Sequence, residues 1–186
     1  MGPCFLAELY PAAATFGSRG HSPGYPPGPS ERRETVNAIT DFEDLLGLLE
    51  KHRVRYLIMG GLAFIYHAKP RFTKDIDIWL DATGENLTRA NAALTDFGSP
   101  YLLSLPPNRD EILQLGLPPN RIDLIVTVEG MRFSTAWKKR ERGRYGTVTA
   151  NWIDLDSLLK IKRRIPEPRH QDDADVLRQV KRLRKK

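Results

Sequence analysis

The sequence predicts an α/β fold, with a small mixed β-sheet, helices packed chiefly on one face, and a short helical C-terminal part. Short apolar runs of strand length alternate along the chain with longer segments whose apolar residues recur at helical spacing. The strand-like runs are few, which indicates a small sheet. Two prolines in "IPEPRH" separate the last two helical segments. A chain of 186 residues is long enough for one domain with a sizeable core.

Composition divides the chain into three parts. Residues 1–34 hold six of the 14 prolines and five of the 14 glycines, without apolar periodicity. We therefore expect a disordered Pro/Gly-rich extension over 1–34. A folded domain is expected over 35–153, and C-terminal helices with a basic tail over 154–186.

The cellular setting is constrained by simple features of the sequence. No apolar run approaches the ~20 residues that span a bilayer. The N-terminus has no basic segment before its apolar part, so we expect no secretory signal peptide. Cys4 is the only cysteine, which excludes an internal disulfide and favours a cytoplasmic location.

The first half of the folded part reads as helix, strand, helix, strand, helix. "TDFEDLLGLLEKH" combines a capping box, Thr40 and Glu43, with helical spacing of its leucines. "RYLIMG" is a short buried strand, and Gly60 and Gly61 open the helix "GLAFIYHA". "DIDIWLD" is the next strand. "TGENLTRANAALTDFG" is a helix closed by Gly98.

The second half contains fewer clear strands. "SLPPNRDEILQLGLPPN" reads as a loop with room for one helical turn, and "RIDLIVTV" as a third strand. "FSTAWKKRERG" reads as a helix and "YGTVTANWI" as a strand or hairpin arm. "DLDSLLKIKRR" and "QDDADVLRQVKRLRK" are the last two helices.

Two aspartates inside a buried-looking strand require an explanation. Strand alternation places Asp75, Asp77 and Trp79 on one face, with the two carboxylate-bearing residues ~6.5–7 Å apart. Like charges at this spacing repel unless a cation or a proton compensates them. Carboxylate oxygens are hard ligands that suit Mg²⁺ or Mn²⁺. The strand therefore predicts a metal platform. Trp79 could stack on a base there or belong to the core.

A third carboxylate lies in "NRIDLIVTV". If this strand pairs with the strand "DIDIWLD", Asp123 can join Asp75 and Asp77 at the same metal site. The alternative is that Asp123 lies at an exposed strand edge. The other predicted strands have no internal acid, which favours the shared site.

Glycines and bases surround the aspartates in the sequence. The backbone of Gly60 and Gly61 can approach a phosphate closely, and a helix N-terminus offers free N–H groups, although a glycine pair is often only a tight turn. Lys69, Arg71 and Lys74 could neutralise a triphosphate. Solvation at the surface is the favoured alternative for Lys69.

Together these motifs resemble a known family. "GG" at a strand–helix turn, "R.TKDIDI", and a distant "RIDLI" resemble the minimal nucleotidyltransferases of the DNA polymerase β superfamily. The likeness runs from about Asp41 to Val180. Within the superfamily it is greatest to the small bacterial group that includes AbiEii-type and related toxin nucleotidyltransferases. "LLKIKRR…RHQDDADVL" is similar to the last motif of that group.

The resemblance implies a metal-dependent enzyme that transfers NMP from an NTP to an acceptor hydroxyl and releases pyrophosphate. It implies Mg²⁺ or Mn²⁺ bound by Asp75, Asp77 and Asp123, which are also the catalytic candidates. The candidate nucleotide-binding residues are Gly60, Gly61, Arg71, Thr73, Lys74 and Lys160. Asp172 and Asp175 would belong to the final motif, although Asp173 between them leaves that alignment open.

The acceptor and the partners stay open at this stage. The acceptor could be tRNA, another RNA, a protein side chain or a small molecule such as an aminoglycoside. The tail from Arg178 to Lys186 carries the whole excess charge of +6, which favours RNA, or it is a solvated end. A toxin-like enzyme would have an antitoxin protein as partner, and no membrane partner is expected. The rival interpretation is a catalytically inactive protein of the same fold that binds nucleic acid or a partner.

Overall fold

The computed structural model describes residues 38–108, 111–117 and 120–184. The predicted N-terminal extension, residues 1–34, lies outside the described residues, as do the last two residues of the basic tail. None of the helices in the described ranges combines the length and the apolar character needed to cross a membrane.

Helices and strands alternate through the described chain. In chain order they are α1 Ala38–Lys51, β1 Tyr56–Met59, α2 Gly60–His67, β2 Asp75–Leu80, α3 Gly84–Phe97, β3 Ile112–Leu115, β4 Arg121–Ile125, α4 Phe133–Lys139, β5 Glu141–Tyr145, β6 Val148–Trp152, α5 Leu155–Lys162 and α6 Pro168–Leu183.

The strands form one six-stranded mixed sheet in the order β3-β4-β2-β1-β6-β5. β2 pairs with β1 in antiparallel and with β4 in parallel orientation. β1 also pairs in parallel with β6, while the two edge strands β3 and β5 are antiparallel to their neighbours. The predicted α/β class with a small mixed sheet is therefore confirmed.

The predicted capping box is wrong, because α1 begins at Ala38, before Thr40, and Glu43 accepts a hydrogen bond from the backbone N–H of Thr147. Two segments also differ from the sequence prediction. Ile112–Leu115, expected as part of a loop, is the edge strand β3, which pairs with β4. Helix α4 ends at Lys139, and the following residues form β5 instead of continuing the predicted helix. A turn containing Gly146, at φ +56°, joins β5 to β6. Pairing with β6 therefore overrides the local helical preference of "KKRERG".

Helix α2 is held at both ends by its neighbours in the fold. Its first residue, Gly60, directly follows the last residue of β1, Met59, so the N-terminus of α2 lies at the end of that central strand. At the other end, His67 is buried, and its Nε2 lies 2.7 Å from the carbonyl oxygen of Ile153. The neighbouring Tyr66 stacks on Trp152, with ring centroids 4.5 Å apart.

Candidate active site

The register of β2 against β4 brings the three aspartates to one face of the sheet. Asp77 is paired directly with Asp123, and Asp75 with Arg121. Residues paired across adjacent strands point to the same side, so the Asp77 and Asp123 carboxylates are neighbours. Asp123 is buried, in contrast to the exposed-edge alternative. Trp79 is also buried, and its ring meets Phe133 edge-on at 5.3 Å, so it belongs to the core.

Gly60 is required by the position of Asp77. Its φ is +64°, and a Cβ added there would overlap the Asp77 carboxylate. Met59 pairs with Asp77 across the strands, and the backbone N–H of Gly61 donates to the same carboxylate. The N-terminus of α2 therefore lies directly against the aspartate pair. A bulkier residue would separate these two features.

Thr73 connects the glycine turn to the first aspartate. Its hydroxyl donates a hydrogen bond of 2.9 Å to Asp75 Oδ1. It also lies where a Cβ on Gly61 would project. The Asp75 side chain is thereby oriented toward the glycine turn.

Arg121 supplies a positive charge to the carboxylate cluster. Its Nε and Nη2 each lie 2.7 Å from an oxygen of Asp123, and Nη2 is 3.8 Å from Asp75 Oδ2. Asp123 in turn raises the pKa of Arg121, which keeps the guanidinium charged. The sequence interpretation did not include Arg121. Its i, i+2 spacing from Asp123 on a strand was the available signal, because such residues share a face.

The Asp77 carboxyl has a raised pKa. Burial, together with the charges of Asp75 and Asp123, raises its pKa to about 6, and the nearby Lys162 ammonium only partly opposes this shift. A carboxyl with such a pKa lacks a fully compensating cation.

A cavity of about 330 Å³ is lined by Asp75 and Asp77, whereas Asp123, which is bound by Arg121, is not among its lining residues. One wall carries the glycine turn and the aspartates, and the other is built by α5, the start of α6 and basic side chains. Its polar and glycine lining comprises Gly60, Gly61, Arg71, Thr73, Asp75, Asp77, Lys162, Arg169 and His170.

A buried charge cluster forms the basic wall. Lys162 Nζ is 3.0 Å and Arg71 Nη2 is 3.1 Å from the same oxygen of Asp173. Lys162 Nζ also lies 3.1 Å from Nδ1 of His170. Burial lowers the pKa of Lys162, while its hydrogen bond to Asp173 opposes that shift. The two cations are thus held rigidly at the cavity wall by one shared carboxylate.

Three of the residues assigned from the resemblance lie away from this cavity. Lys160 is exposed on another side of α5. Asp172 and Asp175 are exposed, and Asp175 pairs with Arg178 at 2.7 Å. The buried positions belong instead to Lys162 and Asp173. Lys162 lies four residues after the buried Leu158, a helical spacing that was the available signal.

Lys74 also lies outside the cavity lining. It is exposed, with Nζ 5.5 Å from the ring centroid of Phe72. Arg71 and Thr73, on alternate positions of the same extended segment, line the cavity. Lys74 can therefore act on a ligand only at the outer rim.

The carboxylates fit a divalent cation by their donor chemistry. Oxygen atoms on neighbouring strands are the ligands that Mg²⁺ and Mn²⁺ prefer, and Asp75, Asp77 and Asp123 lie on one face of the sheet. Among the described residues, no three acidic, histidine or cysteine side chains are already arranged to hold a metal. Asp123 is instead bound by Arg121, so metal binding would require that side chain to move.

Comparison with solved structures identifies the fold. No protein-family model matches the sequence, and none of the curated proteins is a significant match. The chain is similar to the lincosamide antibiotic adenylyltransferase LnuA in its lincomycin-bound crystal structure, with 18% identity and a TM-score of 0.53, over 76% of this chain and 96% of that chain.

Two structures of the antibiotic-resistance factor ANT(2'')-Ia are also similar. The solution structure is 13% identical, with a TM-score of 0.50, over 78% of this chain and 88% of that chain. The crystal structure with adenylyl-2''-tobramycin is 13% identical, with a TM-score of 0.50, over 80% and 95%. These likenesses do not single out the AbiEii-type group. The chain has the nucleotidyltransferase fold.

Proposed function

We propose that the protein is a metal-dependent nucleotidyltransferase that transfers NMP from an NTP to an acceptor hydroxyl. The observation that carries this proposal is the direct pairing of Asp77 with Asp123, beside the Gly60 turn. A protein that only binds polyanions has no use for a cluster of carboxylates, because the carboxylates and the ligand are both negatively charged. It is useful where a cation must meet the phosphates of a nucleotide.

The triphosphate would lie between the two walls of the cavity. The N-terminus of α2 would offer backbone N–H groups to the phosphate oxygens, because Gly60 and Gly61 leave that turn open. Arg71 and Lys162 would contact the phosphates from the other side. Asp173 holds both cations in place, so little ordering is needed when the nucleotide binds.

Asp75, Asp77 and Asp123 would hold Mg²⁺ or Mn²⁺, and the cation would supply charge neutralisation at the phosphates. Asp123 would accept the proton of the acceptor hydroxyl once Arg121 has left its carboxylate. Thr73 would keep Asp75 oriented through its 2.9 Å hydrogen bond.

The proposed reaction needs no reactant besides the NTP and the acceptor. The acceptor oxygen forms a bond to the α-phosphorus, and the bond from that phosphorus to the bridging oxygen of the leaving pyrophosphate breaks. Arg71 and Lys162 would stabilise the charge on the departing pyrophosphate.

Two acceptor classes deserve testing. LnuA and ANT(2'')-Ia are, by their names, an antibiotic adenylyltransferase and an antibiotic-resistance factor, so a small hydroxyl compound is one class. Nucleic acid is the other class, which the net charge of +6 favours. A toxin-like role with an antitoxin partner stays a prediction from the sequence resemblance.

The direct test is incorporation of label from an α-labelled NTP in a total cell extract with Mg²⁺. Wild-type protein should label an acceptor fraction and release pyrophosphate, and Asp75→Asn should do neither. If wild-type protein adds no label above that of the extract alone, the rival interpretation of an inactive binding protein is correct.

A further inference from the structure

Two different faces of helix α5 line cavities. Leu158, Ile161 and Lys162 line the candidate active-site cavity. Asp156, Lys160 and Arg163, which recur at spacings of four and three residues, lie on another side of the same helix. The outer face of α5 takes no part in the proposed active site, although it is only one helix away from it.

Two adjoining cavities of about 360 and 380 Å³ follow this outer face and share Asp156 and Lys160. One extends toward α4 and the segment before it, and the other extends toward α6. We call their basic lining the basic groove, which comprises Arg132, Lys139, Lys160, Arg163, Arg164 and Lys181.

The charge of the basic groove is nearly uncompensated. Asp156 is the only acid among the residues that line the two cavities, and it is paired with Lys181 at 2.8 Å. No ion pair within the described ranges engages Lys160 or Arg163, and both are exposed. Six basic residues against one acid leave an excess of five positive charges, enough to attract a polyanion.

Part of the groove is already ordered. Gly130 has φ +66°, and the Arg164 guanidinium occupies the space that a side chain there would need. Arg164 Nη1 also donates to the carbonyl oxygen of Glu129 at 3.2 Å. Its charge is therefore fixed toward the groove without being neutralised. A preordered cation loses little conformational entropy when a ligand binds.

We propose that the basic groove binds the phosphodiester backbone of a single-stranded nucleic acid, whose terminal hydroxyl is the acceptor. This proposal rests on the proposed nucleotidyl transfer. The groove and the active-site cavity are separated by α5, whose diameter with side chains is about 10–12 Å. A short stretch of strand that leaves the groove could place its end at the carboxylates.

The occupant is external to the chain. Residues 1–37 carry three acids and three arginines, so they offer no net negative charge to the groove. The cavities are small and concave, which suits a flexible single strand better than a stiff duplex. Backbone phosphates are common to RNA and DNA, so the test must include both.

Within the described part of the basic tail, 178–184, two arginines have partners outside the groove. Arg178 pairs with Asp175 at 2.7 Å. Arg184 lies 3.7 Å from Glu141 and donates to the carbonyl oxygen of His67. Among the tail residues that the structure describes, only Lys181 lines the groove. We therefore centre the proposed polyanion surface on α5.

The experiment measures binding of fluorescent single strands of about 16 nucleotides, RNA and DNA of the same sequence, by anisotropy over a salt series. The test variant is Lys160→Gln/Arg163→Gln. The charge-matched control is Arg53→Gln/Arg144→Gln, which removes two exposed bases that do not line the groove. A second test variant, Arg132→Gln/Lys139→Gln, removes charge from the opposite wall.

If two phosphate contacts are lost, affinity should fall about 25-fold at about 0.1 M salt, and the slope of log K against log salt should flatten by about 1.4. Both groove variants should behave this way, and the control should bind like wild-type protein. A preference for RNA or for DNA identifies the source of the backbone. Wild-type affinity in both groove variants, or equal losses in the control, would overturn the proposal.

The active-site variant Asp77→Asn separates this proposal from the proposed function. It should bind the strand normally and fail to transfer label. If Asp77→Asn abolishes transfer while both groove variants bind like wild-type protein, the groove proposal fails and nucleotidyl transfer stands. If the groove variants weaken binding while Asp77→Asn transfers label normally, the proposed function fails.

Discussion

Arg121 and Asp123 form a bidentate ion pair, in which Nε and Nη2 of the guanidinium each lie 2.7 Å from a carboxylate oxygen. Both residues lie on β4 and project from the same face, and Asp77 is paired with Asp123 on the neighbouring strand. Arg121 therefore supplies the positive charge that the proposed chemistry assigns to a divalent cation. The guanidinium and the cation compete for the same carboxylate.

This competition predicts tighter metal binding when Arg121 is removed. Mn²⁺ should bind Arg121→Gln roughly two- to fivefold more tightly than wild-type protein, the range expected for one partly exposed charge pair. Binding can be measured by titration calorimetry or by the EPR signal of free Mn²⁺, so that activity is not needed. Arg142→Gln, which removes a distant exposed arginine, is the control. Weaker binding to Arg121→Gln would show that Arg121 supports the metal site.

The raised pKa of Asp77 predicts a pH dependence of stability without metal. The folded-state pKa, about 6, lies above the ordinary aspartate pKa of 3.8, so the folded protein holds this proton more tightly than the unfolded chain. Its stabilising contribution is present below about pH 4 and is lost as the pH rises through 6. Asp75, Asp123 and Lys162 face the same carboxyl, so their charges enter the measurement.

Asp77→Asn should remove this pH-dependent loss of stability, because asparagine does not ionise. In EDTA, its free energy of unfolding should rise relative to that of wild-type protein by on the order of 2 kcal/mol between about pH 4 and pH 7. Urea unfolding at several pH values measures this difference. Saturating Mg²⁺ should stabilise wild-type protein more than the variant at neutral pH. A difference between the two proteins that is constant with pH would contradict the assignment.

Lys162 and Lys160 should differ in their effect on nucleotide binding. Lys162→Met removes one charged contact to the phosphates and should weaken binding of a fluorescent NTP analogue by at least about tenfold. Lys162→Arg should recover part of the affinity. Lys160→Ala changes the outer face of α5 and should leave nucleotide affinity unchanged. The reverse pattern would place the phosphates on the outer face of α5.

Gly60→Ala and Gly98→Ala separate backbone strain from steric overlap. Both glycines have positive φ, but only a Cβ at Gly60 would overlap another group, the Asp77 carboxylate. Gly98→Ala should cost about 1 kcal/mol of unfolding free energy, and Gly60→Ala should cost about 1–3 kcal/mol more. Chemical denaturation measures both. Equal losses would mean that the Asp77 side chain moves freely away from the turn.

Local patterns were sufficient to predict the central part of the fold. Alternation along β2 placed Asp75 and Asp77 on one face, and Gly60 and Gly61 marked the start of α2. Local patterns do not predict the β2–β4 pairing that brings Asp123 to Asp77, because the order of strands depends on contacts between distant segments. β3 was missed since only one of its four residues is buried, which leaves little apolar alternation to read.

The orientation of α5 and α6 about their own axes explains why the structure places different residues in the site than the sequence predicted. "LLKIK" offers two lysines, and only the packing of α5 against the sheet decides that Lys162 is turned inward. The same is true of Asp173, which lies four residues before the buried Leu177 on α6, whereas Asp172 and Asp175 face solvent. The i, i+2 spacing of Arg121 from Asp123 indicates a shared strand face, but it does not indicate that the two side chains form an ion pair.

The most direct test of the central claim follows the fate of the two ends of the triphosphate. Wild-type protein, Mg²⁺, a cell extract and NTP labelled at either the α- or the γ-phosphate would be compared with Asp123→Asn. We predict that only α-label joins an acceptor, that γ-label leaves in pyrophosphate, and that Asp123→Asn and EDTA abolish both. Transfer of γ-label to an acceptor, or undiminished transfer of α-label by Asp123→Asn, would contradict the account.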